Sequence, residues 1–334
     1  MGRASHASTS GARVHAAIAP TLGPVDALQL LAVLAGRRVA VLTGAGMSTD
    51  SGIPDYRGPD SPPSNPMTIR QFTSDPVFRQ RYWARNHVGW RHMDKTSPNA
   101  GHRALADLEK AGVVTGVITQ NVDLLHTKAG SRAVVNLHGT YAQVVCLDCA
   151  HTMTRAHLAE LLEDANPGFD CGADRLSVAP DADAVVANTS SFSIVGCPSC
   201  GGMLKPDIVY FGENVPKERV LRAYSLVDDA DALLVAGSSL SVFSGYRFVR
   251  HASARGIPIA IVNRGGTRAD NMASVKVDAG CSPILTLLAE KLGNEPLARR
   301  ADGGDEPLAR RADSRLGSSW PDAVPLQTDS RSRC

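Results

Sequence analysis

Two Cys-x-x-Cys pairs, Cys146-Leu-Asp-Cys149 and Cys197-Pro-Ser-Cys200, are the residues most sharply suited to one chemistry. Four thiolates close a tetrahedral shell around Zn²⁺, and such a shell leaves no open position, so this metal is expected to be structural. A disulfide reading needs an oxidising compartment, and a redox Cys-x-x-Cys accounts for one pair but not for two. The stretch between the pairs is longer than a minimal zinc ribbon and must hold an insertion. Cys171 lies in it without a nearby partner, Cys281 follows the last expected strand, and Cys334 is in the tail.

A second group of reactive or hydrogen-bonding residues stands at the ends of short apolar runs. Val39–Thr43 is followed by Gly44-Ala45-Gly46, Val113–Thr119 by Gln120-Asn121-Val-Asp123, and Val134–Leu137 by His138-Gly139. Ala232–Ala236 leads into Gly237-Ser238-Ser239, and Ile257–Val262 into Asn263-Arg264-Gly265. Imidazole, with an ordinary pKa of ~6.5, suits His138 to general-base work, although a hydrogen-bonded histidine at a strand end is the plainer reading of that residue alone.

The elements that must position these groups follow from periodicity. The apolar runs are too short for helices, and their unbroken hydrophobicity suits strands buried on both faces of a parallel sheet. Helical spacing appears between them, at Gly101–Ala111 and Val215–Ala230. Alternating elements of this kind predict a doubly wound α/β sheet, whose ligand crevice lies at the carboxyl ends of the strands. The first of those ends departs from a dinucleotide fingerprint. Thr49 stands where a third glycine belongs, and Gly52-Ile53-Pro54 stops the usual first helix. The chain is therefore expected to cradle phosphate at Gly44 and Gly46, then leave as a loop carrying Asp55 and Arg57.

Composition narrows the alternatives. Thirty-five basic residues against 33 acidic ones give a net charge of +2, too little for a broad polyanion-binding face. A zinc-ribbon nucleic-acid binder is opposed by Asp148, Glu160, Glu163, Asp164, Asp170, Asp174, Asp181 and Asp183 around the knuckles. No apolar run approaches the ~20 residues needed to span a bilayer, so no membrane partner is expected. Residues 1–25 read as a disordered leader in a cytoplasmic protein, with a mitochondrial transit peptide (and hence the matrix) as the alternative. Residues 293–334 read as a disordered tail in which Glu295–Asp302 recurs as Glu306–Asp313.

Taken together, these motifs resemble the sirtuin family, and the resemblance covers roughly residues 26–290. It is carried by Gly44-Ala-Gly-Met-Ser-Thr-Asp-Ser-Gly-Ile-Pro-Asp-Tyr-Arg-Gly58, Thr119-Gln-Asn-Val-Asp123, Leu137-His-Gly139, both cysteine pairs, Lys205-Pro-Asp207, Phe211-Gly-Glu213 and Gly237-Ser-Ser-Leu240. Asp123–Gly130 and Ser244-Gly-Tyr-Arg-Phe248 look most like the class II branch. The resemblance implies a Rossmann-like parallel-sheet domain with a smaller domain, made of a zinc module near residues 140–205 and a helical module near 60–100.

The activity so implied is NAD⁺-dependent protein-lysine deacylation, with protein mono-ADP-ribosylation as the alternative and acyl-lysine proteins as partners of a monomer. Gly44, Ala45 and Gly46 would contact the phosphates of NAD⁺, with Asp55 and Arg57 on the nearby loop. Ile53 and Asp123 would hold the nicotinamide amide, and Gln120 and Asn121 would orient ribose and water. Gly237, Ser238 and Ser239 would line the phosphate and ribose end. Asn263, Arg264 and Gly265 would surround the adenosine ribose, and Cys281 the adenine. His138 would be the base toward a ribose hydroxyl. The peptide would add as a strand between Phe211–Glu213 and Ser241–Gly245, with Val209 and Phe211 walling the acyl-lysine channel. Tyr82 and Arg85, at i and i+3 on one helix face, resemble a pair with which another sirtuin branch binds acidic acyl groups; the alternative is that Tyr82 and Trp83 are core.

Overall fold

The computed structural model describes residues 24–58, 66–169 and 188–293. Most of the expected leader, the repeated tail, Cys171 and Cys334 lie outside the described residues. Among those described, no helix is long and apolar enough to cross a membrane.

Six short strands form one parallel sheet: β1 (Val39–Thr43), β2 (Val114–Thr119), β3 (Val134–Asn136), β7 (Ala232–Ala236), β8 (Ile259–Val262) and β9 (Val275–Val277). β1, β7 and β8 are buried at every position, as a sheet covered on both faces requires. Their spatial order is β3-β2-β1-β7-β8-β9, so the winding reverses between β1 and β7. One face carries α1 (Pro24–Leu34), α4 (Ala100–Lys110) and α9 (Cys281–Leu292), whose Leu30, Leu105 and Leu285 pack against Val41, Val117 and Leu234. The opposite face carries α7 (Lys217–Asp228) and α8 (Phe243–Ala254), with Val227 and Phe248 against Leu42, Ile118 and Val235.

Element edges depart from expectation by a few residues, for local reasons. α7 begins at Lys217 because Pro216 is extended at its N-cap. α4 starts at Ala100 because Asn99 caps it, accepting from the His102 amide while the His102 ring accepts from the Asn99 amide. α1 was not expected at all, and its start at Pro24 precedes the proposed domain edge.

A second, antiparallel sheet of three strands is inserted after β3: β4 (Gly139–Cys146), β5 (Thr152–Thr154) and β6 (Leu204–Ile208). With it pack α6 (Arg155–Ala165), α2 (Ile69–Ser74) and α3 (Pro76–Lys95). Phe72, Tyr82 and Trp83 of the helical pair share one core with Val144, Leu158 and Ile208 of the zinc module.

Arg155 pins these two modules. It is 2% exposed, and its guanidinium bonds Asn86 Oδ1 at 3.0 and 3.1 Å and lies 4.8 Å from the Trp90 ring centroid. The aromatic faces and one amide carbonyl replace water around a charge that burial disfavours, drawing its pKa down to about 9. Arg155→Ala should strand Asn86 and open a void, lowering unfolding stability by about 3 kcal/mol. Urea denaturation with a wild-type midpoint would show instead that the modules pack without it.

Candidate active site

Where the winding reverses, the loops leaving β1 and β7 diverge to opposite faces, which opens a crevice at their carboxyl ends. Here those loops interlock, backbone against backbone. The Gly46 amide donates to the Gly237 carbonyl at 2.9 Å, and the Gly237 amide donates to Val262 at 2.9 Å. A Cβ on Gly44 would sit 2.8 Å from the Gly237 carbonyl oxygen, and one on Gly237, at φ +66°, would sit 2.3 Å from the Met47 nitrogen. The dinucleotide signature lacks its third glycine because no long helix follows. Single turns at Ala45–Met47 and Thr49–Ser51 lead directly into the Ile53–Gly58 loop.

A cavity of about 460 Å³ opens above these loops, a size suited to a nucleotide with part of a second substrate. Its walls bring together Gly44, Ala45, Gly46, Ile53, Asp55, Arg57, Gln120, Asn121, Asp123, His138, Val209, Phe211, Gly237, Ser238, Ser239, Asn263, Arg264 and Gly265. These residues span most of the chain, and only the parallel sheet gathers them. Cys281 lines an adjoining recess with Gly280 and Arg264 instead, and burial pushes its thiol up to about 12. It is a small inert wall at the start of α9.

The polar groups of the cleft are cross-braced. Gln120 Nε2 donates to the Thr43 carbonyl at 3.1 Å and to Ser238 Oγ at 2.9 Å, tying β2 to both interlocked loops. Asn121 Nδ2 donates to the Gly44 carbonyl and to Ser48 Oγ, each at 3.0 Å, and Ser48 donates to Asp123 Oδ2 at 2.6 Å. Burial raises the Asp123 carboxyl above its usual range, against the Ser48 and Leu125 donors that pull it down. Leu124 and Leu240, both non-glycine residues at φ 58°, follow Asp123 and Ser239 closely. Such backbone strain gathers where the surroundings dictate geometry for function.

His138 faces the cavity from the seam between β3 and β4. Its Nδ1 meets the Gln120 carbonyl at 2.9 Å, which can only accept, so Nδ1 carries the proton. Burial first, and the Arg219 guanidinium after it, draw the ring's pKa down to about 4 against that hydrogen bond. The ring is neutral at physiological pH, with its lone pair on Nε2.

Two expectations need correction. Tyr82 is 2% exposed and packs among Phe72, Trp83 and Tyr210, and neither it nor Arg85 lines the cavity. The register of α3 turns Tyr82 into the shared aromatic core, behind Tyr210, which does line the cavity. The paired rails for a peptide strand also shrink. Phe243–Gly245 is the first turn of α8. Phe211–Glu213 belongs to a turn in which the Glu213 amide donates to Tyr210, and its carboxylate accepts from the Tyr210 amide and from Lys205. On the far rim, extended backbone is left at Val242, the N-cap of α8. Ser48 and Tyr56 were not anticipated as site residues, and Ser244 was expected only as part of the peptide rail, because their partners are distant in sequence.

The cysteine pairs converge at the far end of the small sheet. All four Sγ atoms lie within 4.8 Å of one another, with Cys146–Cys200 at 3.6 Å and Cys149–Cys197 at 3.8 Å. Tetrahedral Zn–S bonds of about 2.3 Å place sulfurs about 3.8 Å apart, so the set fits Zn²⁺, and all four thiols are free of disulfides. Cys197→Ser should lose zinc and thermal stability together, as elemental analysis and calorimetry would register; zinc-free protein with wild-type melting would refute a structural metal.

Three histidines with lowered pKa values set a second expectation. Burial lowers the pKa of His102 to about 4, that of His138 to about 4, and that of His126 well below its ordinary value. The unfolded chain binds more protons than the folded one below about pH 6.5, so stability should fall as the pH drops from there toward 4. The slope should reach about 1.4 kcal/mol per pH unit for each histidine. Urea midpoints that stay level between pH 7 and 5 would contradict this.

Over residues 44–244 the chain matches the Sir2 family. The NAD-dependent protein deacetylase 1 of Mycobacterium avium is 72% identical over 279 residues, covering 83% of this chain and 99% of that protein. The NAD-dependent protein deacetylase 1 of Streptomyces coelicolor is 50% identical over 273 residues, covering 81% and 91%. A solved structure described as "Sir2-p53 peptide-NAD+" aligns with a TM-score of 0.64 at 32% identity, covering 80% of this chain and 98% of that one. Another, "Structure of Sir2Tm bound to a propionylated peptide", gives 0.63 at 30% identity, covering 80% and 99%. With this sheet order, this interlocked crevice and these similarities, the chain belongs to the Sir2 family.

Proposed function

We propose that this protein removes acyl groups from protein lysines at the expense of NAD⁺, releasing nicotinamide and passing the acyl group to the ribose. The observation that carries the reading is a neutral histidine, His138, facing a nucleotide-sized crevice built at the switch point of a Rossmann-like sheet. The relatives' names, NAD-dependent protein deacetylase, agree with its NAD⁺ dependence and protein substrate.

In this reading NAD⁺ is a consumed co-substrate: the acyl amide oxygen would bond to its ribose carbon as nicotinamide leaves, which would open the acyl carbon to attack by a ribose hydroxyl. Gly44–Gly46 and Gly237–Ser239 receive the phosphates, where glycine backbone replaces side chains at the crevice floor. Asn263, Arg264 and Gly265 take the adenosine ribose. Asp123, raised toward its protonated form and bonded to Ser48, offers a hydrogen-bonding edge for the nicotinamide amide beside Ile53. The acyl-lysine enters between Val209–Phe211 and Ser241–Val242; Phe211 is 38% exposed and stands edge-on to Tyr56. Gln120 and Asn121 hold the ribose side of the site, fixed by their bonds to Thr43, Ser238, Gly44 and Ser48. His138 takes the proton of a ribose hydroxyl at Nε2. Because the Gln120 carbonyl occupies Nδ1–H, no tautomer exchange is needed before it acts.

The acyl preference is read as that of small neutral groups, since Tyr82 and Arg85 do not line the cleft. The chain is taken to act as a monomer in the cytoplasm, where thiolates persist as zinc ligands.

His138→Tyr should abolish deacylation of an acetyl-lysine peptide while leaving zinc content and melting temperature near wild type. Product analysis should find O-acyl-ADP-ribose and free lysine peptide. ADP-ribose attached to protein, or undiminished turnover by the variant, would overturn the reading.

A further inference from the structure

α8 begins at the rim of the cleft with Phe243-Ser244-Gly245, and its first turn meets Gln120 and His138. Ser244 Oγ lies 2.8 Å from His138 Nε2. The neighbouring Gly245 lies directly on Gln120, where a Cβ would come within 2.5 Å of Oε1. A hydroxyl followed by a bare α-carbon thus seats the helix on both residues. The chemistry fixes the direction of the bond. Nδ1–H is committed to the Gln120 carbonyl, so Nε2 bears the lone pair and the Ser244 O–H donates to it. The charged group acting on the ring is Arg219 of α7, which disfavours the imidazolium and is paired with Asp207 of β6 at 2.6 Å. Ser244 itself is not among the residues lining the cavity, whereas His138 is.

We propose that Ser244 is a positioning residue for His138. It holds the imidazole in one plane and one neutral tautomer, and it satisfies Nε2 until a ribose hydroxyl replaces it as donor. This rests on the reading of His138 as the base. In the step served, the ribose O–H bond breaks and its proton forms the Nε2–H bond, while the oxygen's electron pair makes the new bond to the acyl carbon and the C=N π pair of the imidate moves onto the lysine nitrogen. The imidazolium so formed has a donor at Nε2. A hydroxyl can turn to accept from it, so the same serine satisfies the ring before and after proton transfer, which an alkyl side chain cannot do. A ring held at both nitrogens also has little freedom to leave the attacking geometry, where small misplacements are costly.

The test uses the zinc-loaded full chain and compares Ser244→Ala and Ser244→Thr with wild type. Nicotinamide exchange and single-turnover deacylation are measured on an acetyl-lysine peptide, and the His138 tautomer is read by ¹⁵N NMR. Displacement of nicotinamide by the acyl oxygen needs no base, so exchange should persist in Ser244→Ala. Deacylation should fall about tenfold, the worth of one hydrogen bond. Its His138 ¹⁵N signals should move toward a tautomer mixture, and Ser244→Thr should restore both. Wild-type deacylation with a wild-type tautomer in Ser244→Ala would overturn the proposal. An equal fall in exchange and deacylation would do so too, marking a displaced α8. An active His138→Tyr would instead remove the base reading itself, independently of Ser244.

Discussion

The structure turns on one close approach of two backbones, Gly44–Gly46 against Gly237, at the point where the sheet changes its winding direction. Side chains are excluded there because carbonyl and amide groups already occupy the space a Cβ would need. The same exclusion leaves a crevice floor of backbone, which a pyrophosphate can approach closely. Every other wall of the cleft is referred to this floor. Gln120 reaches across to Thr43 and Ser238, and Asn121 to Gly44, so the ends of β1, β2 and β7 are held at fixed separation by side-chain amides.

Burial near that floor makes each polar group expensive unless it is paired, and the pairing explains the ionisation states. His138 is kept neutral by burial, yet remains oriented by Gln120 and Ser244. Asp123 is pushed toward protonation but retains Ser48 and the Leu125 amide as donors. A network of this kind is rigid because losing one member strands the next. It brings a base and a carboxyl into one cavity without an ion pair between them.

The smaller lobe solves a different problem. Three short antiparallel strands are too small to hold their own core, and they gain one by sharing Val144, Leu158 and Ile208 with the aromatic side chains of α2 and α3. The thiolate cluster closes one end of that sheet, and Arg155 between Trp83 and Trp90 closes the junction. Tyr82 belongs to this packing. Its spacing from Arg85 suggested ligand binding, but a large aromatic side chain contributes most where it is fully buried.

Much was legible in the residues themselves. Continuous apolar runs marked the parallel strands, since runs too short for helices suit strands covered on both faces. Paired Cys-x-x-Cys motifs fixed the metal chemistry, because ligand type and count are local properties. Gly52-Ile53-Pro54 announced that no first helix follows β1, since proline acts on its own stretch of backbone. Side-chain direction and long-range pairing were not legible. A one-position change of helical register separates a cleft-lining tyrosine from a core one, and the Ser241–Gly245 stretch expected to flank a peptide strand gives its last three residues to α8. Ser48 with Asp123 and Ser244 with His138 join residues 75 and 106 positions apart, and nothing in a linear sequence records that distance in space. The sequence by itself determined the parallel strands, the zinc ligands and the set of groups able to do chemistry, because these depend on local composition and period. Only the tertiary structure decided which of those groups share a cavity, which nitrogen of His138 holds its proton and which tyrosine stays dry, because these depend on burial and partners supplied by other parts of the chain.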